Sequence, residues 1–246
     1  MTGIALALRQ IRYENRAFWR NPPAAFFTFA FPLIFMVIFN VLFGEDASAF
    51  FTPAIIVFSV ITATYTNLAM AVTIARDEGI LKRIRGTPLP PWAYLAGRIG
   101  HAVIIGFLLV VIVAGFGALA YSVEVPWAAM PTVLLVLVVG SASFCALGLA
   151  VSGLIPNSDA APAVVNATIL PVLFISNVFI PIKNAPAWVD AVSHILPVRH
   201  FADAMIGLYT SGGAADFPWL ELGVIAGWGL IGVVGALRFF SWEPRR

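Results

Sequence analysis

Apolar runs long enough to cross a bilayer alternate with short polar breaks along this chain. Six read as spanning helices, at about 24–43, 53–75, 99–121, 131–155, 160–180 and 220–240. Each holds about 20 residues or slightly more, which is what a hydrocarbon core of roughly 30 Å requires. Ahead of the first run the period is helical. Arg9, Arg12, Arg16 and Arg20 recur at spacings of three and four, while Ile4, Leu8, Ile11 and Phe18 fall on the other side. A basic face beside an apolar one predicts an amphipathic helix lying in the membrane surface. Asn21-Pro22-Pro23 breaks it and turns the chain inward. The apolar patch Ile4 to Leu8 is too short for the core of a cleavable signal, so none is expected.

The break between the second and third runs reads RDEGILKRIRGTPLPPWAY, Arg76 to Tyr94. Asp77 and Glu78 come first; Lys82, Arg83 and Arg85 come last, the order that complements a helix dipole. Glu78 and Lys82 stand four apart and are expected to pair. Ile80, Leu81 and Ile84 share a face. The pattern predicts one short helix from Arg76 to Arg85, ended by Thr87-Pro88-Leu89-Pro90-Pro91. Such a helix would offer apolar anchors within a polar rim to a partner; a solvated loop that only fixes topology is the alternative.

Residues 181–218 carry two apolar stripes. Asn184 can cap a helix with Pro186 in its first turn, followed by Trp188, Val192, Ile195 and Leu196 on one face. Past Pro197, a second stripe runs Phe201, Met205, Leu208. Both are too short to span, which predicts a pair of interfacial or re-entrant helices. Small residues at Ala142, Ala146 and Ala150, and at Gly223 and Gly227, predict close helix packing. Pro156-Asn157-Ser158-Asp159 predicts a tight hairpin between the fourth and fifth spans.

Composition agrees with this pattern. The 246 residues are 61% hydrophobic and 11% charged, against about 25% charged in ordinary soluble domains. The expectation is an all-α membrane protein, a single transmembrane domain over 1–246. Its one cysteine, Cys145, excludes a disulfide within the chain. Of the 14 Lys and Arg, twelve fall on the side of the N-terminus and the Arg76 stretch, and only Lys183 and Arg199 on the other. The bias places both termini and the Arg76 stretch in the cytoplasm, with Glu45 and Asp46 at the far end of the first span.

Several chemistries are missing. The twelve acids flank the spans, and His101 is the one histidine within a span. Ion-driven carriers usually bury such groups mid-membrane. No phosphate-cradling G-x-x-x-x-G-K-[ST] and no H-E-x-x-H occurs. No catalytic, cofactor-binding or metal-binding residue is therefore expected on this chain, and no nucleic-acid partner. Uphill transport would draw its energy from another chain. A channel and a polytopic membrane enzyme stay open as alternatives.

Taken together, the chain resembles the membrane subunit (permease) of a type-2 ATP-binding-cassette (ABC) exporter. The resemblance covers nearly the whole length. It rests on the basic N-terminal helix, then Phe31-Pro32-Leu33 in the first span. The Arg76 stretch is similar to the family's acid-Gly-Leu-Arg-basic pattern followed by Thr-Pro, and Ile195-Leu196-Pro197-Val198-Arg199-His200 precedes the last span. The resemblance implies that Ala75 to Gly86 is a coupling helix docking on an ATPase subunit, through Arg76, Asp77, Glu78, Ile80, Leu81, Lys82, Arg83, Ile84 and Arg85. Residues 1–23, with Arg9, Arg12, Arg16 and Arg20, would be the connecting helix beside it. Two ATPase subunits binding Mg-ATP and two membrane subunits, a homodimer, would sit in the cytoplasmic (inner) membrane, embedded in the lipid bilayer. The substrate path would run along the second and fifth spans, past Thr62, Thr66, Asn67, Asn166, Thr168 and Asn177; helix-to-helix hydrogen bonding is the other role open to these six. Glycan exporters of this superfamily tend to carry Arg-Tyr, then a Ser and Leu-Gly. Here Arg12-Tyr13 is followed by Glu14-Asn15-Arg16-Ala17-Phe18-Trp19. That departure points to the drug- and lipid-like branch, with a polysaccharide or lipid-linked glycan exporter as the alternative.

Overall fold

A computed structural model describes residues 3–44, 47–87, 89–179, 186–211 and 216–243. Glu45, Asp46, Pro88, Lys183, Asn184 with its expected cap, Arg245 and Arg246 lie outside the described residues. The described residues form helices and no strand. In order they are α1 Gly3–Trp19, α2 Pro22–Phe43, α3 Ser48–Ile61, a π-helical turn Thr62–Thr66, α4 Asn67–Asp77 and α5 Ile80–Arg85. After these come α6 Pro91–Tyr121, α7 Met130–Ser152 entered through a 3-10 turn Trp127–Ala129, α8 Ala161–Phe174, α9 Ala187–Ser193, α10 Pro197–Thr210 and α11 Trp219–Phe239.

Five helical stretches are long and apolar enough to cross a membrane: Pro22–Phe43, Ser48–Asp77, Pro91–Tyr121, Trp127–Ser152 and Trp219–Phe239. The fifth expected span, 160–180, is the exception. Its helix has 14 residues, Ala161–Phe174, about 21 Å at 1.5 Å per residue. Turns follow it, and Asn177 adopts φ 62. A non-glycine residue in the left-handed region ends helical propagation.

The Ser48–Asp77 stretch is the most buried of the five, and α2 and α11 are the most exposed. It runs up the centre, with α6, α7, α10 and α2 around it. Within it the backbone loosens at Thr62–Thr66, where the Asn67 N–H bonds to the Thr62 carbonyl five residues back. Here α7 presses closest. A side chain on Gly148 would put its Cβ 2.9 Å from the Tyr65 carbonyl oxygen. The widened turn and the bare glycine fit one another.

Glycine also sets the contact of α7 with α11. A Cβ on Gly229 would meet Ser143 Oγ at 2.5 Å, and one on Gly232 would meet the Leu147 nitrogen at 2.7 Å. Ala146 and Ala150 of the expected small-residue stripe lie in this seam, whereas a Cβ on Gly223 or Gly227 would meet nothing within 4 Å. The seam belongs to a different glycine set, one helical face away.

Two placements differ from the sequence reading. First, after the short linker holding Pro156-Asn157-Ser158-Asp159, α8 packs on α4 and the π turn rather than mainly on α7. Second, of the interfacial and re-entrant placements expected for this pair, α10 does not take the interfacial one. Phe201, Met205 and Leu208 are buried, and α10 inserts among α3, α7 and α11. Phe201 fills the space over Gly140, where a Cβ would come within 2.6 Å of its ring, and stacks on Phe144. An apolar stripe of that width finds more area inside a bundle than at its edge. Of this pair it is α9 that keeps apolar groups outward, with Trp188 67% exposed and Ile195 just beyond the helix 65% exposed.

Candidate functional site

One end of the bundle gathers the basic residues. Leu81 of α5, Tyr94 of α6 and Val72 and Ala75 of α4 share a core with Phe240 and Trp242 past α11. On that end α1 lies against α6. Gly97 and Gly100 let it approach: a Cβ on either would come within 2.5 Å of Gln10 or Ile11. Glu14 is 7% exposed and fixes the contact by an ion pair, its Oε1 3.1 Å from Arg98 Nε, while Gln10 Nε2 donates to the same oxygen at 2.7 Å. Arg9, Arg12, Arg16 and Arg20 are exposed, as are Ile4 and Leu8. The basic face is therefore exposed, Phe18 packs against Phe29 and His101, and Glu14 forms a third, buried face that periodicity alone did not reveal.

The Arg76 stretch is not one helix. Gly79 takes φ 71, ψ 12, so α4 stops at Asp77 and α5 starts at Ile80. The break undoes the four-residue geometry between Glu78 and Lys82. Both are exposed, and no ion pair joins them.

The residues expected at the docking surface divide into two groups. Arg76 is 2% exposed. Its Nη1 donates to the Ser152 carbonyl at 2.8 Å and its Nη2 to the Ile155 carbonyl at 2.5 Å. The Ser152 carbonyl ends α7, where intrahelical partners run out and the dipole favours a cation, and the Ile155 carbonyl lies in the linker just past it. Asp77 Oδ2 accepts from the Ser158 N–H at 3.0 Å and from its hydroxyl at 2.6 Å. These two neighbours clamp the foot of α4 to the linker between α7 and α8. Leu81 is fully buried, and Ile80 and Ile84 are half-buried against the same core. The expected apolar anchors thus face inward, because six residues of isolated helix need that burial to hold their place. Glu78, Lys82, Arg83 and Arg85 point to solvent. What α5 exposes is charge.

The six polar residues of the second and fifth spans are not gathered along one wall. Thr62 and Asn67 line a cavity of about 330 Å³ between α2 and α3. Thr66 is half-buried and Asn166 is exposed on α8. Thr168 meets the Tyr65 hydroxyl at 2.8 Å, tying α8 to the π turn. Asn177 Nδ2 donates to Asp203 Oδ1 at 2.8 Å, and Asp203 Oδ2 accepts from Arg199 Nε at 2.5 Å. For Thr168 and Asn177 the observed partners are therefore other helices. Among the described residues, no cluster of His, Cys, Asp and Glu has the geometry of a metal site.

The sequence profile of the family described as ABC-2 type transporter matches residues 7–209. Over 178 residues the chain is 25% identical to the "Probable multidrug ABC transporter permease YbhR" of Escherichia coli K12, covering 72% of this chain and 48% of that protein. It thus spans about half the length of that relative. A second relative is the "Daunorubicin resistance ABC transporter permease protein DrrB1" of Streptomyces coeruleorubidus, 26% identical over 249 residues, covering 96% of this chain and 85% of that one.

Proposed function

The chain belongs to the ABC-2 type transporter family, and from that premise we propose that it is the membrane subunit of an ATP-driven exporter of lipophilic small molecules. Mg-ATP is hydrolysed on a separate ATPase chain, two copies of which act with two copies of this one in the cytoplasmic membrane. The observation that carries this reading is the form of α5. Lys82, Arg83 and Arg85 are exposed on it at the tip, with Glu78 just ahead, while Leu81 seats it against α4 and α6, and Arg76 and Asp77 tie the foot of α4 to the linker before α8. A partner that grips the tip moves several helices together.

The charge of the tip specifies the partner surface: acidic, and engaged in a salt-dependent way. The basic face of α1 lies at the same end and suits the headgroup layer. With this end cytoplasmic, α9 and its exposed Trp188 face the other side. The printed names of the two relatives concern multidrug transport and daunorubicin resistance, which supports a lipophilic cargo here, as does the Glu14 to Trp19 departure from the glycan-exporter pattern.

The test is uptake of daunorubicin into everted membrane vesicles holding this chain and its ATPase. Uptake that needs both chains and Mg-ATP is the expected result. Uptake driven by a proton gradient without the ATPase would overturn the reading.

A further inference from the structure

Two neighbouring cavities flank α2, the first of them beside α1, and docking at α5 makes no use of them. The first, about 300 Å³, lies among α1, α2, the central helix and α6, with Glu14, Phe18, Arg98 and His101 in its walls. The second, about 330 Å³, continues between α2 and α3 past Phe27, Phe31, Pro32, Phe58 and Leu109. Ala24, Thr28 and Asn67 line both. The first compartment has ionisable groups in its wall; the second is mostly apolar, with Thr28, Thr62 and Asn67 as its polar residues.

The polar compartment keeps donors in reserve. Arg98 is anchored through Nε alone, to Glu14 Oε1 at 3.1 Å and the Tyr94 hydroxyl at 2.9 Å, with its guanidinium 5.4 Å from the Tyr94 ring centre. Neither Nη group bonds to another described residue. His101 Nδ1 is buried with no partner, and a histidine nitrogen can present a proton. Glu14 Oε1 already accepts from Gln10 and pairs with Arg98. The vacant capacity is thus for an acceptor.

Depth in the membrane agrees. The 31 residues of α6 extend about 46 Å, roughly 16 Å more than a hydrocarbon core. Arg98 stands about 10 Å from the start of α6, beside α1, at headgroup depth. The exposed Arg9, Arg12, Arg16 and Arg20 nearby raise the local concentration of anions.

We propose that the two cavities bind an amphiphile with an anionic head, phosphate or carboxylate, drawn from the cytoplasmic leaflet. The head sits on Arg98 and His101, and the tail lies along the groove between α2 and α3. The proposal rests on α1 lying in the membrane surface, as in the function proposed above, and on no property of the ATPase.

Native mass spectrometry tests it on the full chain, released from dodecylmaltoside micelles doped with dioleoyl phosphatidylglycerol or dioleoyl phosphatidylcholine. The chain retains the anionic lipid over the zwitterionic one by roughly tenfold, the scale of a charge-assisted hydrogen bond. Ala24→Phe crowds the wall that both cavities share and leaves the charges alone. Glu14→Gln/Arg98→Gln removes the pair together, so no lone charge is buried. Either variant, if it elutes as a monodisperse species, loses the preference. Equal retention of the two lipids by the unmodified chain, or full preference in the folded variants, overturns the site. No ATPase or ATP is present, so that outcome leaves the exporter reading standing, and a failure of export leaves the binding result standing.

Discussion

Replacing Arg76 by methionine separates a structural cation from the exposed cations in the same short stretch. The substitution keeps an apolar stem and removes the guanidinium, stranding the carbonyls of Ser152 and Ile155 at and just past the end of α7. Each buried acceptor left without a partner costs about 1–3 kcal/mol, and the cation also leaves the negative end of a helix dipole. The expected loss is about 3 kcal/mol. At roughly 2–4 °C per kcal/mol for a chain of this size, the unfolding midpoint falls by about 6–12 °C. The assay is thermal unfolding in detergent, followed by size-exclusion fluorescence. Lys82→Ser and Arg83→Ser, both exposed, should move the midpoint by no more than about 2 °C. A midpoint unchanged in Arg76→Met, or lowered equally in the two α5 variants, would refute the division of this stretch into clamp and tip.

Two further outcomes are expected. Gly148→Leu sets a side chain against the Tyr65 backbone, 2.9 Å from its carbonyl oxygen; since backbone cannot yield there, the monodisperse fraction should collapse, and normal yield would contradict the close approach of α7 to the π turn. In a Cys145→Ala background, single cysteines at Lys82 and at Trp188, both exposed, should react with an impermeant maleimide from opposite membrane faces; reaction from one face would dismiss the proposed orientation.

Much of the architecture was legible because it is written in periodicity. The arginines of α1, the long apolar helices and the polar break at Arg76 all follow from hydrophobic spacing and the cost of burying charge. What was missed depends on single residues and on tertiary partners. Gly79 after Asp77-Glu78 carries the ordinary signal for a helix end, yet the apolar stripe of Ile80, Leu81 and Ile84 masked it. That stripe does mark a buried face; periodicity cannot say whether the burial is inside the chain or against a partner. Likewise Glu14 read as one acid among arginines, and only Arg98, 84 positions on, makes it a buried anchor. The π turn left no trace beyond a run of Thr and Tyr. The short α8 was hidden because Val178-Phe179-Ile180 resumes the apolar run after Ser176-Asn177, while the backbone, at Asn177, has already left the helix.

The most direct test of the central claim is Mg-ATP hydrolysis in what co-purifies with the tagged chain from its own membranes. The account predicts an ATP-hydrolysing partner in the eluate of the unmodified chain. It predicts loss of that activity, with the membrane chain still monodisperse, when the tip is reversed by Lys82→Glu/Arg83→Glu/Arg85→Glu. An eluate that hydrolyses no ATP, or hydrolysis that survives the reversal, would contradict it.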